Sequence, residues 1–500
     1  MISCEPERER KQSRRSSGPS SALPCLPLVL LKNVNRRPDP PEGTDTNSTA
    51  LPAEPGIPTG AASPARSYWL PATLQSLRHR NYRLFFFGQL ISLIGTMMHG
   101  TAMGWLIYVL TKSEQQLGNI SAVRTFPIVL FSLLGGVLAD RHSKRGILVI
   151  TQICFMMLAL VLAALVFLDL IRVWQIVVVG ALFGLGMAFD IPARQAFVAE
   201  MVGPKDLTNA IALNSSVFNT ANIIGPAIGG LVMGAFTGTA DKLNAADTSI
   251  AMHGIGWCFL INGLSFVAVI AGLMMMRIKP QPMARQTVPA LRQAVESLSI
   301  VARKPALRGL LALVAIMAVF GSSYGVLMPV FAREVVPMGA LEAEKAKGYG
   351  LLLSASGLGA LAGALVLATL SRVQRKSRLV IGGTMLLAVS LFLFASMSNF
   401  WAAAACLVGV GMGSILMAST ANSLVQTSVP HEVRGRVMGV WALIFVGAMS
   451  FGSIQIGYLA HFRSAATAVK IGAVICAACA VAAFWAVRTM RRRSAAMPPA

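Results

Sequence analysis

Long apolar runs, each about the length of a bilayer-spanning helix, follow one another from Tyr82 to Val487 with little polar sequence between them. A hydrocarbon layer about 30 Å thick needs roughly 20 apolar residues in helical form. The runs are continuous and do not alternate with period two, so they predict helices and not the strands of a barrel. The spans read in this way are residues 83–110, 118–139, 147–168, 173–200, 207–235 and 254–276, then 307–332, 348–371, 379–397, 400–427, 433–460 and 467–487. The break between the two sets, Arg277 to Arg308, carries prolines and seven basic residues, and it divides the spans six and six.

Charge orients these spans, because Lys and Arg collect in the short loops on the cytoplasmic side. One side holds Arg78, Arg80 and Arg83, then Arg141, Lys144 and Arg145, the central break, then Arg372, Arg375, Lys376 and Arg378, then Arg434 and Arg436, and the tail from Arg488 to Arg493. On the other side Asp169, Asp241, Asp247, Glu334, Glu342 and Glu344 lie beside fewer bases. Both termini are therefore expected in the cytoplasm, as an even number of spans requires. The organisation expected is a disordered cytoplasmic tail over residues 1–75, a six-helix unit over 76–276, a cytoplasmic linker over 277–306, a second six-helix unit over 307–490 and a basic tail over 491–500. Arg14, Arg15 and the short apolar stretch Leu26 to Leu31 do not make a secretory signal, since the stretch is proline-broken and lacks a convincing cleavage site.

Composition agrees with a membrane protein. Of 500 residues 55% are hydrophobic and 13% charged, a balance that leaves too little charge to cover a soluble surface. The net charge of +23 sits in clusters between spans, which reads as topology and not as a nucleic-acid surface. Seven cysteines are scattered, most of them inside spans, with no disulfide framework and no metal-ligand spacing; Cys476 and Cys479 are read as small packing residues. No metal site and no cofactor is expected. A nucleotide-binding loop with a catalytic lysine and a cluster of catalytic side chains are both missing from the sequence, which argues against ATP-driven pumping and against an enzyme.

An internal repeat supports the six-plus-six division. Gly184, Gly186 and Met187 lead to Pro204 and Asp206, as Gly409, Gly411 and Met412 lead to Pro430 and Glu432, at an offset of 225 to 226 residues. Parallel repeats of this kind are an architecture for alternating access.

Between spans 2 and 3 stands Gly-Gly-Val-Leu-Ala-Asp-Arg-His-Ser-Lys-Arg, residues 135–145. Small residues before Asp140 let helices approach closely, and an acid flanked by bases can pair differently in two conformations. The segment resembles the signature loop of the major facilitator superfamily, with Gly136, Asp140, Arg141, Lys144 and Arg145 in matching places and Ser143 where that superfamily usually has glycine. The resemblance implies a cytoplasmic gate latch whose acid faces the start of span 11 and whose base pairs with an acid of span 4, here Asp190. Span 5 carries Asn222-Ile-Ile-Gly-Pro-Ala-Ile-Gly-Gly, ending at Gly230. Pro226 cannot donate to the carbonyl of Asn222, so a bend is expected there, and Gly225, Gly229 and Gly230 permit close packing. The run is similar to the antiporter motif of exporter branches. Leu77 to Phe86, Phe189 to Val198 and Asn209 to Ser215 narrow the resemblance to the transmembrane secretion effector family, which includes exporters of enterobactin and of macrolides.

Two polar stripes recur at helical spacing: Gln89, Ser92, Thr96, His99 and Met103 in span 1, and Ser215, Asn219, Asn222, Pro226 and Gly229 in span 5. Polar groups at membrane depth face partners or water, so Gln89, Ser92, Thr96, His99, Asn219 and Asn222 are candidate cavity residues, with helix-to-helix hydrogen bonding the competing role for each. Asp190 and Arg194, one turn apart, are expected to offset each other's charge at a gate. Arg124, placed near the outer end of span 2, has no assigned partner.

The resemblance implies the major facilitator fold, an all-α membrane protein of twelve transmembrane helices in two six-helix bundles. It implies a monomer in the bacterial inner membrane that exports a siderophore- or drug-like molecule, with a proton as the coupling ion. No carboxylate stands in the middle of a span to carry that proton. An importer, or a non-transporting sensor or scaffold on the same fold, is the competing reading.

Overall fold

The computed structural model describes residues 72–237, 248–277, 299, 301–370 and 376–496. A short 3₁₀ helix, Ala72–Arg78, leads into α1, Arg80–Thr111, followed by α2, Glu114–Arg141, and α3, Lys144–Phe167. Next come α4, Val173–Gly203, α5, Lys205–Phe236, and α6, Thr248–Met275. The chain continues through α7, Pro305–Val335, α8, Glu342–Thr369, α9, Lys376–Phe394, α10, Phe400–Thr427, α11, His431–Phe462, and α12, Ala465–Ala496. Among the described residues eleven helices are long and apolar enough to cross a membrane, and up to twelve when the pair Glu114–Ser132 and Leu134–Arg141, bent by 53°, counts as one span.

Local chemistry sets the helix ends. Ser113 caps α2 by accepting from the Gln116 amide at 3.3 Å, and Asn399 caps α10 by accepting from the amides of Trp401 and Ala402. Between α4 and α5 the chain turns at Gly203, whose φ of 70° and ψ of 175° suit glycine alone.

Several expectations change here. Of the tail expected over residues 1–75, residues 1–71 lie outside the described residues, while 72–75 belong to the 3₁₀ helix, which Ser76 pins to α5 through Asn209 and Asp206. The linker expected over 277–306 lies outside them at 278–298 and 300, and Pro305 already opens α7. Residues 491–496 of the expected basic tail continue α12. Helical torsions run on through Pro226, and the break in that stretch is at Gly203. The span read as 118–139 begins four residues earlier, at Glu114. The span read as plain helix over 307–332 is regular only to Ile316, then passes through a π turn, a 3₁₀ segment at Ser323–Leu327 and a second π turn at Phe331–Val335. Pro329 removes a donor in that stretch, and the Ser323 hydroxyl donates to the Val319 carbonyl at 2.7 Å.

The first six and last six helices meet chiefly along two lines, α2 with α11 and α5 with α8. On the first, a Cβ added at Gly118 would stand 2.4 Å from the Ser453 carbonyl oxygen, and one at Gly457 2.7 Å from that of Glu114. Further along, the Ser450 hydroxyl lies 2.8 Å from that of Thr125. On the second, Gly230 and Gly350 press together, and a Cβ at Gly357 would meet the Asn222 carbonyl oxygen at 2.8 Å. Both lines lie toward the end opposite the basic loops. Toward the basic end, Gly136 of α2 and Gly439 of α11 have no atom within 4 Å of a Cβ position.

A direct check of the α2–α11 line is a Thr125→Cys/Ser450→Cys pair in a background lacking the native cysteines. Mild oxidation should join the two fragments left after cleavage at a protease site inserted between residues 278 and 298, as seen by gel mobility, and a Thr125→Cys/Gly439→Cys pair should not cross-link.

Candidate functional site

Three polar groupings stand out against the apolar helices. The first is the loop between α2 and α3. Gly135, and not Gly136, makes the close approach: a Cβ there would lie 2.1 Å from the Ala188 carbonyl oxygen of α4, whereas Gly136 faces open space. Ser143 takes the place of the expected glycine without strain, with φ −59°, and caps α3 by accepting from the Gly146 amide at 3.0 Å. The pairing of a loop base with an acid of α4 is made by Lys144 and Glu200 at 2.5 Å, in place of the expected partner Asp190. Arg145 donates to the Met274 carbonyl at 3.0 Å. Arg141 is exposed and Asp140 half-buried, and neither has a bonded partner among the described residues.

Asp190 cannot reach that loop because it is the centre of the second grouping. Fully buried, it accepts at one oxygen from Thr151 and Gln152, both at 2.9 Å, and at the other from both Nε (2.9 Å) and Nη2 of Arg194. Arg194 turns its remaining nitrogen to the Gln89 side-chain oxygen. Three helices, α1, α3 and α4, are thus tied by one near-neutral charge pair. Thr151 and Gln152 lie seven and eight residues into α3, which places the pair roughly 10–12 Å from the basic end.

The third grouping is a cavity of about 170 Å³ between α1, α2, α4, the irregular part of α7 and the start of α8. His99 and Arg124 both line it, and the Phe183 ring supports both: the imidazole stacks on it at 5.9 Å and the guanidinium lies over it at 5.2 Å. His99 is 4% exposed and its Nδ1 is buried without a hydrogen-bond partner among the described residues. Across the cavity stand Tyr349 of α8 and Pro329 of α7.

The two stripes read from the sequence separate in space. His99 and Met103 line the cavity, while Gln89 joins Arg194 and the Thr96 hydroxyl donates to the Ser92 carbonyl at 2.8 Å. On α5 the Asn222 side chain donates back to the Phe218 carbonyl at 3.1 Å, and Asn219 is half-buried. The glycine-rich run of α5 serves two neighbours: Gly225 and Gly229 pack on Met97 and Met98 of α1, while Gly230 and the Pro226 carbonyl meet Gly350 of α8. Sequence reasoning missed Glu200, whose acidity beside a charged loop was its only signal. It also missed Glu334, which accepts from the Tyr108 hydroxyl, and the Arg333–Glu342 pair at 3.2 Å.

Cutting the buried pair on one side strands a charge in a medium that cannot solvate it, a loss of about 3–5 kcal/mol. Asp190→Ala should therefore lower the melting temperature of the detergent-solubilised protein clearly, and Asp190→Leu combined with Arg194→Met should recover more than half of the loss.

Comparison with known proteins agrees with this architecture. The chain is similar to the enterobactin exporter EntS of Shigella boydii serotype 18, with 25% identity over 384 residues that span 76% of this chain and 85% of the relative. EntS of Citrobacter koseri is 24% identical over 397 residues, covering 79% of this chain and 88% of that one. Among solved structures, a POT family transporter in complex with a thioalcohol-conjugated peptide superimposes with a TM-score of 0.64 at 12% identity, over 83% of this chain and 99% of the other. A bacterial homolog of the human lysosomal transporter Spinster, in an inward-facing and occupied conformation, does so with a TM-score of 0.64 at 14% identity, over 82% and 97%. The profile of the transmembrane secretion effectors matches residues 71–499. The chain is therefore a membrane transporter and not an enzyme, and it belongs to the transmembrane secretion effector family of the major facilitator superfamily.

Proposed function

We propose that this protein is a secondary active exporter of small organic molecules across the bacterial inner membrane, working by alternating access between two bundles of six helices with both termini in the cytoplasm. The observation that carries the reading is the one-sided contact between the first six and last six helices. The α2–α11 and α5–α8 lines hold toward the end opposite the basic loops, while Gly136 and Gly439 are uncovered at the other. With the basic loops inside, this is a state closed to the outside and open to the cytoplasm. Export then requires the reverse state, in which α2 and α11 close over Asp140 and the α5–α8 line opens.

In that cycle the Lys144–Glu200 pair holds the loop to α4, and Gly136 and Asp140 are free to dock on the start of α11. The Asp190–Arg194 pair keeps α1, α3 and α4 moving as one body. The glycine-rich run of α5, packed on α1 and α8 together, is the line that must slide for the outer side to open, which suits the exporter reading of that motif. The half-buried Thr96, Asn219 and Asn222 remain candidate polar contacts for a passing substrate, while Ser92 is buried. The EntS relatives, enterobactin exporters, support a siderophore-like cargo, a drug-like one resting on the family resemblance alone; proton antiport is the coupling we assign, with the chain acting as a monomer.

Two measurements test this. In cells that make enterobactin but lack their own exporter, the wild-type chain should restore release, and Asp140→Asn should reach the membrane in equal amount while releasing little. In inverted vesicles, substrate accumulation should follow an imposed pH gradient; accumulation indifferent to that gradient would remove the proton from the mechanism.

A further inference from the structure

Arg124 is the charge that the latch, the buried pair and the helix packing leave unused. Each described acid that makes an ion pair or a side-chain hydrogen bond is committed elsewhere: Asp190 to Arg194, Glu200 to Lys144, Asp206 to His79, Glu334 to Tyr108, Glu342 to Arg333 and Lys345, and Glu344 to the Leu341 amide. Among the described residues Arg124 touches no acid; its one recorded partner is the Phe183 ring. Because α2 runs from Glu114 to Arg141, Arg124 lies about 15 Å along it, in the half away from the basic loops, as expected. Arg124 is half-buried, and a cation inside a span is costly unless it faces a partner, water or a ligand.

The fold does not need an arginine at this place. Gly184 of α4 crosses α2 so closely that a Cβ would lie 2.0 Å from the Arg124 carbonyl oxygen, and Gly411 of α10 crosses α8 in the same way, 1.9 Å from the Ser356 carbonyl oxygen. The position matching Arg124 is thus Ser356, whose hydroxyl is satisfied by Tyr324 at 2.9 Å. One crossing carries a small paired hydroxyl and the other an unpaired cation facing a cavity.

The cavity around that cation is shaped for a guest. Glycines stand where side chains would fill it: a Cβ at Gly104 would lie 2.7 Å from the Tyr349 hydroxyl, and one at Gly100 3.9 Å from a terminal nitrogen of Arg124. At about 170 Å³ it is slightly larger than an engineered cavity of about 150 Å³ that holds benzene. Its other walls are largely hydrocarbon, which suits a ring better than a hydrated inorganic ion.

We propose that this cavity binds the anionic end of an organic substrate, a carboxylate or similar oxyanion on an aromatic or otherwise apolar ring, with Arg124 as the charge partner and His99 and Tyr349 as neutral hydrogen-bonding groups. Charge-assisted, the contact to Arg124 is the strongest one available there. This rests on the reading of the chain as a transporter and adds the substrate's charge class.

The test uses the full-length protein in detergent at pH 7 and two probes of equal size, salicylate and its neutral amide, salicylamide, followed by equilibrium dialysis. Salicylate should bind the wild type about tenfold or more tightly than salicylamide. Arg124→Gln should bring salicylate down to the level of the amide without moving the amide, and Arg124→Lys should keep part of the preference. Among the described residues Arg124 makes no ion pair for the substitution to break, so the Gln variant is expected to fold without a lower melting temperature. Gly104→Val, which leaves the cation in place and fills the space beside Tyr349, should abolish binding of both probes and stands as the second arm if the Gln variant misfolds. No preference in the wild type, no salicylate binding at all, a preference that survives Arg124→Gln, or salicylate binding untouched by Gly104→Val would each overturn the proposal. The assay has no membrane and no direction, so its failure leaves the export reading to the enterobactin release experiment, and failure there leaves this measurement standing.

Discussion

Helices in lipid cannot be driven together by the hydrophobic effect, since hydrocarbon surrounds them already, and what holds them is close packing at small residues. In this chain that constraint decides which helices are fixed to one another and which can part. Gly118 with Gly457 and Gly230 with Gly350 bring backbones together along two lines. No side chain bars the way, but none locks it either, and the lines stop at about Val129 of α2 and Asn222 of α5. Beyond them each half relies on its own packing, so the glycines that permit the contact also make it a contact that can be exchanged for another.

Charge is distributed to suit that division. Asp190 and Arg194 are buried, but every helix they tie, α1, α3 and α4, belongs to the first six, so a movement between halves leaves the pair intact. Lys144 and Glu200 likewise join neighbours within those six. The contacts that cross between halves at the far end are different in kind, among them the Tyr108–Glu334 hydrogen bond, the Thr125–Ser450 hydroxyls, the Ser354 hydroxyl on the Ile223 carbonyl, the Trp105–Tyr349 rings and van der Waals contact between glycines. Of these groups only Glu334 is a carboxylate, and it stands exposed at the end opposite the basic loops.

Much of this was legible in the hydropathy pattern, because a span must be apolar over its whole length wherever it sits. The eleven to twelve apolar helices found among the described residues follow from that alone. Less legible was whatever depends on which face of a helix meets which neighbour. Gly135 and Gly136 are indistinguishable as letters, yet the first touches α4 and the second touches nothing. Asp190 matched the acid expected to pair with the loop, but a carboxylate already holding four hydrogen bonds has nothing left to offer, and Glu200, ten residues further along α4, reaches Lys144 instead. The irregular course of α7 left no mark on hydropathy at all, since a π turn in an apolar run is still apolar.

The internal repeat illustrates the difference between a matching string and a matching contact. Letters align Gly184 with Gly409 and Gly186 with Gly411, an offset of 225. Contacts align Gly184 with Gly411, which both press on a backbone carbonyl of the helix two before their own, and Gly186 with Gly413, which both face the helix immediately before it. The offset that preserves function in packing is therefore 227. Only when those two crossings are matched does Arg124 fall opposite Ser356, 232 residues on, and only then is it visible that the two halves differ there by a full positive charge. Symmetric scaffolds give a transporter its motion; a place where the symmetry of side chains is broken inside the shared cavity is where it can tell one cargo from another.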